Sequence, residues 1–287
     1  SRTRAIYVVH YGGLICDMDP IMEIARKHKL YVLEDCAHAH GAQYKGRSAG
    51  TVGDVGVFSF HSLKNMTTCG EGGMITTNRD EWVKPIEMLR CMNLTHWDPD
   101  QVEFAFGKHK LTKLVQGNYK DYWVPSHFEI EDVNGHWGNN YRMNEIQAAV
   151  GRCQIKKLDM LTDKRQHAGR FINAGIADLA GVRGVYEPAG YNHVYHLYTL
   201  CVDPKAYDRD EFMRVLYRDN GVQGILHYQP TYHFAGVKKL GITGNCPVAE
   251  DFFYKWEINL PMHPRLTPKQ LADTVEGIRN TAKKLKR

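Results

Sequence analysis

Two residues have types and surroundings suited to joint chemistry: Lys64, in Phe58-Ser59-Phe60-His61-Ser62-Leu63-Lys64-Asn65, and Asp35, in Leu33-Glu34-Asp35-Cys36-Ala37-His38-Ala39-His40-Gly41-Ala42. A lysine amine forms a Schiff base with an aldehyde, and a carboxylate keeps a pyridine nitrogen protonated. An enzyme that holds pyridoxal 5'-phosphate (PLP) needs both. The conjugated ring takes up the electrons left when a proton departs from a substrate's amino carbon, and protonation of its nitrogen deepens that sink. A nearby carboxylate secures the proton through a charge-assisted hydrogen bond. Alone, Asp35 would read as a capping residue after a strand, so its neighbours carry the argument.

The elements that must position the pair are legible from periodicity. Ala5-Ile6-Tyr7-Val8-Val9 reads as a buried strand, and Asp19-Pro20 as the cap and first-turn proline of a helix through about Lys29. Tyr31-Val32-Leu33 is strand again, which makes a β-α-β unit with parallel strands. Asp35 then falls just beyond a strand's carboxyl end, where open α/β sheets place ligands. Strands are expected over 55–60 and 74–77, with Lys64 and the glycines 70, 72 and 73 between them. Asn78 with Glu81 resembles a capping box opening a helix to about Met92. From Asn93 to Trp137 periodicity is poor, which predicts a long excursion of the kind that is commonly functional. Asn144 and Gln147 cap a long helix whose apolar stripe runs toward residue 177. Beyond it, a strand over 196–202, a helix over 208–220 ended by Gly221, a strand over 222–228, a helix from Pro247 and a closing helix capped by Thr267-Pro268 predict a smaller α+β domain. The expected division is 1–155 and 156–287.

Around the pair, Ser59 is placed to hydrogen-bond a cofactor phosphate, and the three glycines let backbone pass close to the lysine loop. Gly50, Gly53 and Gly56 precede a strand instead of following one, so they are not a dinucleotide fingerprint. His38 and His40 alternate, but the local sequence offers no third and fourth metal ligand. His38 is expected to contact the ring or its O3' oxygen, with His40 structural.

Composition narrows the setting. The 287 residues are 43% hydrophobic, enough to fill a core, and no apolar run approaches the roughly 20 residues of a membrane span. Lys and Arg outnumber acids 37 to 32, with no basic block apart from the C-terminal turn, so nucleic acid is not implied. The seven cysteines are scattered and without a Cys-x-x-Cys pair, which points to a reducing cytoplasm and no metal site.

Together with Tyr44-Lys45-Gly46-Arg47, Gly70-Glu71-Gly72-Gly73-Met74, Asn140-Tyr141-Arg142-Met143-Asn144-Glu145-Ile146-Gln147-Ala148-Ala149 and Cys246-Pro247-Val248-Ala249-Glu250, the Lys64 and Asp35 segments resemble the DegT-type sugar aminotransferases of PLP fold type I. The resemblance extends over nearly the whole chain. It implies an α/β fold with a mainly parallel sheet in the PLP-binding large domain and a smaller C-terminal α+β domain. It also implies Lys64 as the Schiff-base lysine, Asp35 as the pyridine partner, His38 against the ring and Ser59 on the phosphate. Asn140 is similar to an asparagine that reaches the phosphate in the neighbouring subunit's site, which implies a homodimer. The segment His227-Tyr228-Gln229-Pro230-Thr231-Tyr232-His233 resembles a substrate-side loop, giving His227, Tyr228 and His233 as substrate candidates, and His196 falls in another recurrent segment. Residues 95–137 look longer than in relatives, and Lys108, His109, Lys110 and Lys113 there suit a phosphate-bearing substrate.

The family has about a hundred further residues upstream of the segment matching Ala5, so the N-terminal part of its fold, with a phosphate-binding turn and a ring-stacking residue, is expected to be absent here. The implied reaction moves an amino group from glutamate or glutamine to a keto-sugar, with two half-reactions. A related sugar dehydratase would carry histidine in place of Lys64, so lysine argues for amino transfer. A non-catalytic regulator of the same fold is the alternative from another class.

Overall fold

Adjacent residues on a strand point to opposite faces, and this alternation organises the first half of the chain. The computed structural model describes residues 2–93 and 132–286. It contains β1 (Ala5–Val9), α1 (Met18–His28), β2 (Tyr31–Asp35), two short strands β3 (Gln43–Tyr44) and β4 (Arg47–Ser48), β5 (Val55–Ser59) and β6 (Gly73–Thr77). Four of these form one sheet in the order β1-β2-β5-β6. β2 lies parallel to β1, with Val9 opposite Asp35, and parallel to β5, with Asp35 opposite Val57. The β-α-β reading is therefore correct, although Asp35 is the last residue of its strand. Helix α1 starts one residue before Asp19, with Asp17 at its cap position.

The pleat separates the two acids of Glu34-Asp35. Glu34 shares the inner face with Val8 and Val32 and is fully buried, whereas Asp35 lies on the other face, half-buried. Burying a carboxylate is costly unless it is fully hydrogen-bonded. Glu34 meets that demand: Oε1 accepts the N–H groups of Val52 (2.8 Å) and Gly53 (2.6 Å), and Oε2 accepts that of Gly50 (3.0 Å) and the His10 Nε2–H (2.9 Å). The backbone N–H of Cys16 points at His10 Nδ1 (3.3 Å), so that nitrogen carries the lone pair and Nε2 the proton. The spacing of Gly50, Gly53 and Gly56 follows from this nest. A Cβ on Gly53 would lie 2.7 Å from the Val32 carbonyl, and one on Gly56 would strike Gly50 and Thr76.

Several sequence expectations are corrected. Asn78 does not cap α2 (Asp80–Arg90); Arg79 holds the cap position, and Thr77 Oγ1 accepts the Arg79 N–H instead. Asn144 and Gln147 do form a reciprocal capping box, but the helix they open is two helices, α3 (Glu145–Ile155) and α4 (Leu158–Ile176). The buried face of α4 carries Thr162, Arg165, Gln166 and Gly169 as well as Ile172 and Ile176, so it is not the apolar stripe expected, and Phe171 is exposed. Two of these polar residues are engaged from far along the chain: Arg165 Nη1 donates to the carbonyls of Tyr195 (3.1 Å) and Met262 (2.9 Å), and Gln166 Nε2 to that of His193 (2.9 Å), whereas Thr162 Oγ1 and Arg165 Nε have no partner among the described residues.

The remaining elements are β7 (Val182–Arg183), β8 (Tyr191–Asn192), β9 (Tyr198–Val202), α5 (Arg209–Asn220), α6 (Ala235–Lys239), α7 (Pro247–Asp251), β10 (Glu257–Leu260) and α8 (Pro268–Leu285). β10, β9 and β7 form an antiparallel sheet, and β8 pairs with β3. Residues 222–228 make only a bridge, Ile225 to Asn259; the strand beside β9 is β10, whose Glu257 and Asn259 disguise four buried positions. Thr267 caps α8 as expected, Asp208 caps α5 one residue before its first helical residue, and Gly221 closes α5 in the left-handed conformation. Ile172, Tyr198, Leu200, Phe212, Leu216, Ile258 and Ile278 fill this core.

The chain divides into two compact units, Ser1–Thr76 with Ala149–Arg287, and Thr77–Ala148. In the second, a bridge joins Cys91 to Asn140, and the buried Asn93 side chain donates to His136 O (2.8 Å) and accepts from Gly138 N (2.6 Å). Lys108, His109, Lys110 and Lys113 lie outside the described residues. Among the described residues, no helix is long and apolar enough to cross a membrane.

Two stability outcomes follow. Burial tends to raise the Glu34 pKa, but the bonds from His10, Gly53 and Gly50 outweigh it and hold the carboxyl below its ordinary range. Its contribution is thus full at neutral pH and is lost as pH falls through the lowered value. Glu34→Gln is expected to cost about 3 kcal/mol at pH 7 by urea unfolding, less under acid conditions. Gly169→Ala, which forces a methyl into the Tyr195 ring, is expected to cost about 2 kcal/mol by the same measurement.

Candidate active site

The site gathers at the carboxyl ends of β1, β2 and β5, within the first unit. Lys64 rides on a loop whose base is closed by backbone bonds from Phe60 N to Gly72 O (2.7 Å), Ser62 N to Gly70 O (2.8 Å) and Thr68 N to Phe60 O (3.1 Å). Gly70 lies at φ +135°, which accounts for a glycine there. Lys64 is half-buried, and among the described residues its Nζ has no hydrogen-bond or ion-pair partner. Burial lowers its pKa, and the charge of Asp35 partly restores it.

Asp35 is held by two donors: the Ala37 N–H on Oδ1 (3.0 Å) and the Tyr7 hydroxyl on Oδ2 (2.9 Å). Tyr7 shares the face of Asp35, two residues before its pairing partner Val9, and sequence reasoning missed it because it read only as strand. Ser59 ends β5, where its Oγ accepts the His61 N–H (3.3 Å).

His38 lies at the centre of a ring cluster. Its Nδ1 accepts the Gly12 N–H (3.3 Å), so the neutral ring carries its proton on Nε2. The His196 ring lies 4.1 Å away at 31°, that of Tyr228 6.3 Å away at 29°, and that of Tyr11 5.8 Å away. Burial, reinforced by Lys64, pushes His38 down to about 4. Burial, with His38 and Lys64, pushes His196 to about 2, and burial and Lys64 also lower His227. These histidines are neutral at physiological pH, so Lys64 is flanked by imidazoles and not imidazoliums.

The second half of the chain reaches this cluster through the Gly12-Gly13 turn. Val194 N bonds Gly13 O (3.0 Å) and Leu197 N bonds Gly12 O (3.1 Å), and a Cβ on Gly13, at φ +105°, would press on the backbone of Tyr195 and His196. The Tyr11 hydroxyl donates to the His227 carbonyl, which sets the 227–228 turn beside His38. Tyr11 was not singled out by sequence; the glycine pair after β1 was its only signal.

Of the substrate candidates, His227 and Tyr228 join the cluster. His233 instead bonds the Tyr254 hydroxyl through Nδ1 (2.9 Å), and Gln229 reaches the same oxygen (3.0 Å). His40 is buried between Phe58 and Phe60, burial lowers it to about 4, and neither ring nitrogen has a partner among the described residues. Asn140 lies in the second unit, exposed, its Oδ1 accepting the Arg142 Nε–H (3.0 Å). Ligand atoms of His10, Glu34 and Cys36 lie within 4.8 Å of one another, but the hydrogen bonds of the Glu34 nest already engage the first two.

The residues fit PLP. An unpaired, partly desolvated amine suits an aldehyde, and Asp35, anchored by the Ala37 N–H, sits at the neighbouring strand end with capacity for another donor.

Comparison with known proteins agrees. The model of the DegT/DnrJ/EryC1/StrS aminotransferase family matches residues 1–279. GDP-perosamine synthase of Caulobacter vibrioides is 34% identical over 283 residues, covering 96% of this chain and 66% of that protein. The UDP-4-amino-4,6-dideoxy-N-acetyl-beta-L-altrosamine transaminase of Campylobacter jejuni is 30% identical over 289 residues, covering 98% and 67%. The structure of Helicobacter pylori PseC, an aminotransferase involved in pseudoaminic acid biosynthesis, superposes with a TM-score of 0.80 at 25% identity, covering 99% of this chain and 68% of that one. The chain thus spans about two thirds of the length of these relatives. It belongs to the DegT/DnrJ/EryC1/StrS aminotransferase family, a family of PLP-dependent sugar aminotransferases.

Proposed function

We propose that the protein moves an amino group from glutamate or glutamine to a nucleotide-linked keto-sugar in two half-reactions. The observation that carries this reading is the pairing of a partly desolvated, unpaired Lys64 with Asp35 at one sheet end. The GDP- and UDP-linked names of two relatives support a nucleotide on the sugar.

When bound, PLP supplies the electron sink for the carbon that loses its proton. Lys64 anchors the aldehyde carbon. With the substrate amine in its place, the free Nζ would take the proton from the amino-bearing carbon and return it to the cofactor's former aldehyde carbon, acting as base and then acid. Its lowered pKa favours the free amine that the first of these steps requires. Asp35 holds the proton on the pyridine nitrogen, Ser59 donates to the phosphate, and His38 supports the ring face. His227 and Tyr228 meet the substrate. His233 is the weaker candidate because Tyr254 engages it. Asn140 serves the site of a second copy, in a homodimer with shared active sites.

The test uses the full-length protein with PLP and glutamate or glutamine. A visible absorbance band is expected on adding PLP and is expected to convert on adding donor, with release of the oxo acid. Lys64→Ala should abolish the band; a band that persists undiminished removes Lys64 from this role. Asp35→Asn should slow the donor half-reaction about 100-fold, near 2.7 kcal/mol of barrier, measured by stopped-flow absorbance. A rate within twofold of the parent would assign the pyridine proton to another group.

A further inference from the structure

Asn65, next to the lysine, has a side chain that the reaction scheme does not use, yet it is only 6% exposed and bonded at both its nitrogen and its oxygen. Its Nδ2 donates to the Val194 carbonyl (3.2 Å), so its Oδ1 faces His196 Nδ1 at 3.0 Å as an acceptor. A carbonyl oxygen offers no proton, so His196 must supply one. Its Nδ1 is therefore protonated and its Nε2 bare. His196 is 9% exposed, and its ring lies against that of His38. His38 is fixed from its other side by the Gly12 N–H.

We propose that Asn65 and His196 are positioning residues of this active site. Asn65 selects the Nδ1–H tautomer of His196, and His196 in that state packs against the His38 ring and supports its orientation. The same amide fastens the Lys64 turn to the 194–196 segment, so one side chain sets both the lysine and the ring support. The functional part rests on the aminotransferase reading; the tautomer assignment does not. A neutral His196 stacks on His38 without placing a second cation near Lys64. A freed His196 would turn, and the His38 plane would turn with it. Small misplacements of groups around a reacting centre cost one to two orders of magnitude in rate.

The experiment compares the full-length parent with Asn65→Leu. Nitrogen-15 NMR of labelled histidines should show His196 as Nδ1–H alone in the parent at pH 7, with or without PLP, and as a mixture of tautomers in Asn65→Leu. The donor half-reaction should slow about tenfold in the variant, while the donor concentration for half-saturation changes less than twofold. A single Nδ1–H tautomer in the variant, or an unchanged rate, overturns the proposal. If Asn65→Leu does not fold, His196→Gln, which keeps an amide donor toward Asn65, should retain at least about a third of the parent rate while His196→Leu loses about tenfold. Equal losses in the two overturn it. A parent that shows the stated tautomer but never converts donor would sink the aminotransferase reading and leave the Asn65–His196 assignment standing.

Discussion

The fold of the first unit depends on one buried anion. Glu34 sits inside the sheet packing with no solvent, and it is tolerable there only because three loop N–H groups and one imidazole converge on it. In return, the carboxylate fixes the 50–53 loop, the His10 ring and the end of β1. From those follow the Gly12-Gly13 turn, the approach of residues 194–197 and the position of His38. Asp35, the acid proposed to do chemistry, is placed by a neighbour that has only a structural part.

Much of this was legible in the sequence. The parallel strands, the strand-end aspartate, the loop lysine and the caps at Asn144 and Thr267 are local signals, and local rules read them. Two of the misreadings share a cause. The buried face of α4 and the buried strand β10 contain polar residues whose partners lie far along the chain, such as Arg165 with Met262. Periodicity arguments count such residues as solvent-facing. The glycines 50, 53 and 56 were rightly denied a dinucleotide role, but their purpose, admitting backbone to Glu34, needed the folded arrangement.

The site divides the same way. Lys64, Asp35, His38 and Ser59 stand within one continuous stretch and were readable together, whereas the supports are spread over the chain. Tyr7 reaches Asp35 through the β1–β2 register, and Tyr11, Asn65 and His196 come together only when the turn after β1 meets the 194–197 and 227–228 segments. Residue type points to the candidate reactive groups; the residues packed around them are ordinary types in particular places. The charge state of the histidines around Lys64, His38 included, also depends on the folded arrangement, since burial and not type keeps them uncharged.

The two adjacent acids on opposite faces of β2 make strand register part of the chemistry. A slip of one position would bring Asp35 to the nest and Glu34 to the cofactor side, and the shorter side chain would reach neither the loop amides nor His10. Mispaired chains would thus lose stability and reactivity together, which leaves no folded but miswired alternative. Grafting this sheet into another scaffold accordingly calls for moving His10, β2 and the 50–53 loop as one block, since the acid cannot be transplanted without its address.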